Sequence, residues 1–97
     1  MDKTLCVVGA GRMGIGITLS YIHAGLPVTL IDIKPRERGE QAEYFARVLG
    51  DLRRELATLT RLGLLDAAQA DIALGRVRLT TRDDARADLA HARVVFE

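Results

Sequence analysis

The sequence lacks several features that would assign it to a particular class of protein. A single cysteine, Cys6, excludes an internal disulfide, and its place in an apolar run is typical of a small buried hydrophobe. The 14 basic and 13 acidic residues nearly cancel, so the charge indicates no polyanion-binding surface. No apolar run approaches membrane-spanning length, and no repeat or flexible linker divides the 97 residues. We therefore expect one small domain that binds neither nucleic acid nor membrane and holds no metal.

The first residues leave little room for a targeting segment. An apolar run begins at Leu5, and a signal or transit peptide would need a longer stretch before the folded domain. The expected location is the cytoplasm.

An apolar run and a glycine-rich turn open the informative part of the chain. Leu5–Val8 (LCVV) shows no polar alternation and stops at Gly9, which predicts a strand buried on both faces. Gly9, Gly11 and Gly14 then form G-x-G-x-x-G. The first glycine allows a tight turn, the second lets the backbone approach a pyrophosphate, and the third allows close helix–strand packing. The unsatisfied N–H groups that open a following helix favour phosphate oxygens.

A predicted helix and a second strand complete a βαβ unit. The helix covers Met13–Ala24 and ends at Gly25, and its apolar face carries Ile17, Tyr21 and Ala24. The second strand covers Val28–Ile33, and Asp32 stands near its carboxyl end, at about the 20-residue spacing of dinucleotide sites. A carboxylate there can accept hydrogen bonds from both hydroxyls of the adenosine ribose. Strand, helix and acid together make the glycine pattern a specific indication of dinucleotide binding.

The middle of the chain predicts a helical hairpin. Glu37–Arg61 carries apolar residues at spacings of three and four, which indicates one amphipathic helix. The stripe consists of Phe45, Val48, Leu49, Leu52, Leu56 and Leu59. The charged residues between them are interpreted as a solvated face with local ion pairs. Gly63 ends this helix, and a second helix runs from a capping box at Asp66 to Gly75.

The last third of the chain predicts two strands and a short helix. Arg76–Thr81 alternates polar and apolar residues as a half-exposed strand does, Asp83–Ala90 is a short helix, and Ala92–Glu97 is another buried strand. The fold class is α/β: a Rossmann-type parallel sheet of order 3-2-1-4, with the hairpin between strands 2 and 3. Four strands make the adenosine-binding half of such a sheet. We therefore expect residues 1–97 to be the N-terminal part of a longer dinucleotide-binding domain.

The sequence resembles the 3-hydroxyacyl-CoA dehydrogenases over essentially its whole length. From Gly9 to Ile17 it reads G-x-G-x-M-G-x-G-I, as that family does, and the family inserts a helical hairpin between its second and third strands. Its members oxidise (S)-3-hydroxyacyl-CoA to 3-oxoacyl-CoA in fatty acid metabolism, and hydride passes to NAD⁺. The resemblance implies an NAD cofactor and an acyl-CoA substrate. For the full-length protein it implies a helical C-terminal domain and a homodimer.

The same resemblance implies the site residues. The cofactor-binding positions are Gly9, Gly11, Arg12, Met13, Gly14, Asp32 and Ile33. Backbone N–H groups of Arg12 and Met13 would face the pyrophosphate, and Ile33 would line the adenosine pocket. The family's catalytic histidine and its assisting glutamate have no match here, so no catalytic residue is expected in this chain. His23 and His91 are interpreted as structural, and Glu97 matches the first glutamate of the family's E-A-x-x-E run.

Asp32 also predicts the choice of cofactor. Its carboxylate can bond the ribose hydroxyls of NAD but would face the 2′-phosphate of NADP, so NAD is the expected cofactor. Lys34 and Arg36 are interpreted as surface residues of the turn that leave this preference in place. Arg12 is larger than the residue common at its position in the family, and it either contacts a phosphate or lies in solvent.

Two other functions stay open. One is a dehydrogenase of free hydroxy acids, of the L-gulonate dehydrogenase (lambda-crystallin) type. The other is a nucleotide-sensing regulatory domain like those of potassium transport systems, which share the glycine turn and the strand-end acid. The long helical segment over 37–75 argues against the sensor, because such sensors connect those strands more briefly.

Overall fold

The computed structural model describes residues 5–9, 11–86, 90 and 93–96 of the chain. The elements are β1 Leu5–Val8, α1 Arg12–His23, β2 Val28–Asp32, α2 Arg38–Arg61, α3 Ala67–Leu74, β3 Val77–Thr81 and β4 Arg93–Phe96. These bounds lie within about one residue of the predicted ones. The predicted helix over 83–90 falls partly outside the described residues, and positions 86 and 90 are helical. The predicted ends of the last strand, residues 92 and 97, also lie outside them.

The four strands form one parallel sheet in the order β3-β2-β1-β4, which matches the predicted order. Val8 pairs with Ile31 on one side and with Phe96 on the other, and Asp32 pairs with Thr81. The carboxyl ends of all four strands therefore meet at one edge. The order of the strands reverses beside β1, and ligands of such sheets bind outside the carboxyl ends at this point.

The core lies mainly on one face of the sheet. Alternate side chains of β1 and β2 point to opposite faces, and both strands are buried throughout. On the larger side the buried residues are Leu5, Val7, Val28 and Leu30 from the strands, with Ile15, Ile22, Val48, Leu52, Leu56, Leu65 and Ala73 from the helices and their connections. On the other side Cys6, Val8 and Ile31 pack with Ala85. Cys6 is fully buried, as predicted.

The apolar stripe of α2 is confirmed, whereas the predicted face of α1 coincides only in part with the buried one. In α2 the central residues Val48, Leu52 and Leu56 are buried. In α1 the buried residues are Gly14, Ile15, Thr18 and Ile22, while Ile17 and Tyr21 are only partly buried and Ala24 is exposed. The buried face was hard to predict because a glycine and a threonine interrupt its apolar residues. Gly14 belongs there, since a residue without Cβ lets the helix lie close to the strand.

Hydrogen bonds and glycines with positive φ fix the ends of the helices. Asp66 Oδ1 accepts from the Gln69 N–H and Gln69 Oε1 accepts from the Asp66 N–H, each at 2.8 Å, which confirms the capping box. Arg76 Nη1 donates to the carbonyl of Ile22 at 3.0 Å and so ties the end of α1 to the start of β3. Gly25 and Gly63, the predicted helix stops, both have positive φ. The α2–α3 connection is therefore specified locally, whereas the end of α1 is also held by a bond between residues far apart in the sequence.

Candidate cofactor site

The glycine turn begins with a backbone conformation that favours glycine. Gly9 has φ +92°, and its N–H donates to the carbonyl of Ile31 at 3.0 Å. This bond continues the β1–β2 ladder one step past Val8. The chain then turns sharply away from the sheet, and Gly11 becomes the N-cap of α1. A side chain at Gly9 would strain the turn where it leaves the strand.

The start of α1 has no side-chain cap and no acid in its first turn. The Gly11 carbonyl accepts the first helical bond, from the Ile15 N–H at 2.9 Å. The N–H groups of the first helical residues have no partner inside the helix, and they lie at the positive end of its dipole. Arg12 and Met13, two predicted cofactor residues, are exposed here, and Gly14 is buried against the strand. This end of α1 is suited to bind an anion.

Asp32 ends β2 on the same edge of the sheet as the glycine turn. It directly follows Ile31, the residue whose carbonyl binds Gly9, so the turn and the carboxylate are neighbours. Only 5% of Asp32 is exposed. Its backbone carbonyl accepts from the Arg82 N–H at 3.1 Å, which ties the end of β2 to the chain beyond β3. Ile33, the next predicted site residue, is 49% exposed beside it.

Three donors hold the Asp32 carboxylate. The backbone N–H of Lys34 donates to Oδ1 at 3.3 Å, while Arg36 Nε and Gln41 Nε2 donate to Oδ2 at 2.6 and 2.9 Å. Burial on its own raises the pKa of this carboxyl group, but the bonds from Arg36, Gln41 and Lys34 and the charge of Arg36 outweigh it and lower the pKa. Asp32 is therefore ionised at neutral pH.

The interpretation of Arg36 as a surface residue of the turn is wrong. Its side chain is 20% exposed, and its guanidinium lies between the Asp32 carboxylate and the Tyr44 ring, with its carbon 4.0 Å from the ring centroid. The bond to Asp32 raises the pKa of Arg36, so both partners are charged. Pro35 lies in the connection after β2, and α2 then begins close to the end of the strand, which brings Tyr44 within reach of Arg36. Lys34 is exposed, as predicted, and contributes its backbone.

Sequence reasoning missed two residues around Asp32: Gln41 donates to its carboxylate, and Tyr44 carries the Arg36 guanidinium on its ring. Both lie in the first two turns of α2, after a short connection from the end of β2. That connection keeps the start of α2 close to Asp32. The predicted start of the helix at Glu37 was the available signal, because it placed both residues near the strand end. What the pattern did not contain was the rotation of the helix about its axis.

The remaining predicted residues are spread more widely. Arg12 is exposed and borders an open groove of about 580 Å³ between α1 and α2, where Arg47 and an ion pair of Arg54 with Asp51 also lie. His23 is exposed at the far end of α1, and a 12-residue helix spans about 18 Å. His91 and Glu97 lie outside the described residues. The structure thus brings Gly9, Gly11 and Asp32 together and separates His23 from them.

Metal binding and membrane spanning have no support in the described part of the chain. No group of three or more His, Cys, Asp or Glu side chains could hold a metal among these residues. None of the helices described there combines the length and the apolar character needed to cross a bilayer.

Comparison with known proteins identifies the family of the chain. The family model of the 3-hydroxyacyl-CoA dehydrogenase NAD-binding domain matches residues 4–97. The (S)-3-hydroxybutyryl-CoA dehydrogenase of Ralstonia eutropha is 30% identical with a TM-score of 0.68, and the match covers 100% of this chain and 31% of that protein. The 3-hydroxybutyryl-CoA dehydrogenase of Escherichia coli is 28% identical with a TM-score of 0.64, over 81% of this chain and 16% of that protein. A diketoreductase at 22% identity has a TM-score of 0.74 over 100% of this chain and 32% of its own, and shares the fold.

The chain therefore spans less than a third of these solved relatives. The family match covers nearly every residue from the first strand to the last. This chain belongs to the NAD-binding domain family of the 3-hydroxyacyl-CoA dehydrogenases, and NAD is its cofactor.

Proposed function

We propose that the protein carrying this chain oxidises (S)-3-hydroxyacyl-CoA to 3-oxoacyl-CoA, and that this chain binds the ADP-ribose half of NAD⁺. The observation that carries the proposal is the contact between the glycine turn and the end of β2, where the Gly9 N–H meets the Ile31 carbonyl one residue before Asp32. NAD⁺ supplies the hydride acceptor for the oxidation. Membership of the family and the two hydroxybutyryl-CoA dehydrogenases support the reaction class.

Each predicted residue has a role that fits its place. Gly9 and Gly11 bring the backbone up to the pyrophosphate, and the N–H groups of Arg12, Met13 and Gly14 at the start of α1 bind its oxygens. Asp32 accepts from the ribose hydroxyls. Ile33, half exposed beside Asp32, offers an apolar surface to adenine.

The reacting groups belong to the rest of the protein in this proposal. A histidine–glutamate pair, the nicotinamide half of the sheet and a helical domain that contributes to a homodimer would come from outside these residues. Such an enzyme takes acyl-CoA thioesters in the cytoplasm. The isolated chain is accordingly expected to be inactive.

The α2–α3 hairpin favours a dehydrogenase over a nucleotide sensor. Its helices occupy Arg38–Arg61 and Ala67–Leu74, and they supply a large share of the core. A sensor with a short connection between these strands would lack that share. The hairpin does not distinguish this enzyme from a dehydrogenase of free hydroxy acids. The two must be told apart by the substrate that the protein oxidises.

Substrate oxidation by the purified protein tests the proposal. NADH formation is followed by absorbance with (S)-3-hydroxybutyryl-CoA, free (S)-3-hydroxybutyrate and L-gulonate, with the isolated chain as the inactive control. We expect turnover of the thioester only. Turnover of L-gulonate alone would support the alternative enzyme, and NAD binding without any oxidation would support the sensor.

A further inference from the structure

Both oxygens of the Asp32 carboxylate already accept hydrogen bonds within this chain. Arg36 and Gln41 both occupy Oδ2, and only 3% of the Asp32 side chain is exposed. The Arg36 guanidinium therefore lies directly beside the carboxylate that binds the ribose hydroxyls in the proposed function. The negative charge of Asp32 is what would repel a 2′-phosphate. The positive charge of Arg36 lies against Oδ2 of that same carboxylate.

We infer that Arg36 is a specificity-determining residue, which offsets the charge of Asp32 and lets the site accept the 2′-phosphate of NADP as well as the 2′-hydroxyl of NAD. The inference rests on the proposed function, since it concerns the ribose end of the same cofactor site. Arg36 binds Asp32 through Nε, so its two terminal nitrogens are not used in that bond. A guanidinium can present such a pair of N–H donors to phosphate oxygens.

The surroundings keep Arg36 in place. Its guanidinium rests on the Tyr44 ring, and Arg47 lies over the same ring at 5.3 Å. Glu40 and Glu43 border the same recess, so two acids there balance the two arginines. Stacking on Tyr44 orders the side chain beside Asp32 and reduces the entropy lost when a phosphate binds. The consequence is a preference for NAD that is smaller than Asp32 alone would produce.

Calorimetric titration of NAD⁺ and NADP⁺ into the protein carrying this chain tests the inference. Two variants change Arg36: Arg36→Met removes its charge and Arg36→Lys keeps it. Arg47→Met is the control, because Arg47 contacts Tyr44 as Arg36 does but is not a donor to Asp32. For Arg36→Met we expect the Kd of NADP⁺ to rise by about tenfold while that of NAD⁺ changes by less than about twofold. Arg36→Lys should retain most of the NADP⁺ affinity, and Arg47→Met all of it.

Salt dependence gives a second measurement that needs no variant. If Arg36 offsets Asp32, added salt weakens NADP⁺ binding more than NAD⁺ binding, because it screens an attraction. If Asp32 faces the phosphate unopposed, salt screens a repulsion and the affinity for NADP⁺ rises relative to that for NAD⁺. That second result would overturn the inference.

The remaining outcomes are also decisive. Equal losses of NAD⁺ and NADP⁺ affinity in Arg36→Met would give Arg36 a merely structural role, and NADP⁺ binding too weak to detect beside normal NAD⁺ binding would show that Arg36 admits no phosphate. Both overturn the inference and leave the proposed function standing. Failure of the unaltered protein to bind NAD⁺ would instead overturn the proposed function, and the inference with it.

Discussion

The two halves of the cofactor site, the glycine turn and the cluster around Asp32, are built in different ways. The turn consists of backbone groups: Gly9 has a positive φ, and α1 starts at the N-cap Gly11 without a hydrogen bond from a capping side chain. The Asp32 cluster offers side chains, and its donors come from the connection after β2 and from α2. The geometry of the turn is thus encoded by glycines close together in the sequence, whereas the surroundings of Asp32 depend on how α2 packs.

The largest expected effect comes from a side chain at Gly11. Gly11→Val places a branched side chain where the backbone meets the pyrophosphate, and we expect NAD⁺ and NADP⁺ to bind about 100-fold more weakly, each to the same extent. Calorimetric titration of both cofactors measures it. The control is Gly16→Ala in the same helix, where an added Cβ meets no atom within 4 Å. Unequal losses of NAD⁺ and NADP⁺ affinity would contradict the expectation that the turn binds both cofactors alike and that only the Asp32 cluster distinguishes them.

A smaller effect is expected at Gly9, on stability. Gly9→Ala forces a residue with Cβ to adopt φ +92°, and we expect the unfolding free energy to fall by about 1–3 kcal/mol. Urea unfolding of the protein provides the measurement. Gly39→Ala is the matched control, because its added Cβ also meets nothing within 4 Å and alanine favours the helix by up to about 1 kcal/mol. A Gly9→Ala protein as stable as the control would mean that the turn tolerates a side chain.

Removal of the Asp32 carboxylate should affect the cofactors unequally. Asp32→Ala loses the acceptor for the ribose hydroxyls, so NAD⁺ affinity is expected to fall by about tenfold and the gap to NADP⁺ to narrow. Lys34→Ala should leave NAD⁺ binding nearly unchanged, because Lys34 reaches Asp32 through its backbone. Competition titrations with both cofactors check this. Loss of NADP⁺ affinity equal to that of NAD⁺ would contradict a role for Asp32 in discrimination.

The smallest expected effect is a pH-dependent change in the stability of the fold. The pKa of Asp32 is lowered in the folded chain from its ordinary value of 3.8, so its bonds stabilise the fold fully above that value and are lost as pH falls through the folded pKa. Asp32→Asn should therefore be less stable than the unaltered protein at neutral pH, and the difference should shrink as the pH falls below 3.8. Urea unfolding across this range, or amide exchange in β2, measures it. A difference that stays constant with pH would exclude the ionised pair as its cause.

The fold was more predictable than the ribose end of the site. β1, β2, the glycine turn and the position of Asp32 follow from local patterns, because apolar runs, glycines and their spacing act within a few residues. The stripe of α2 was likewise readable from Val48, Leu52 and Leu56. The buried face of α1 was not, since Gly14 and Thr18 carry no apolar signal.

The contact of Arg36 with Asp32 and Tyr44 shows why the rest could not be predicted. Arg36 lies four residues after Asp32, but a proline separates them, so no helical spacing links the two. Their contact depends on the direction in which α2 leaves the sheet and on the ring that it presents. Such geometry is set by the packing of α2 on the core, which involves residues far away in the sequence. A charged residue in a turn therefore gave no sign that it would be enclosed.

The order of the strands also bears on how the chain folds during synthesis. β1 is made first, yet it lies inside the sheet between β2 and β4. Its β2 side can be covered once α1 and β2 have left the ribosome, while its β4 side must wait for the whole α2–α3 hairpin and β3. Pairing of this kind has high contact order and leaves an apolar strand edge open for a long interval. The β4 side of β1 is thus the strand edge of this sheet that stays unpaired for longest while the chain is made.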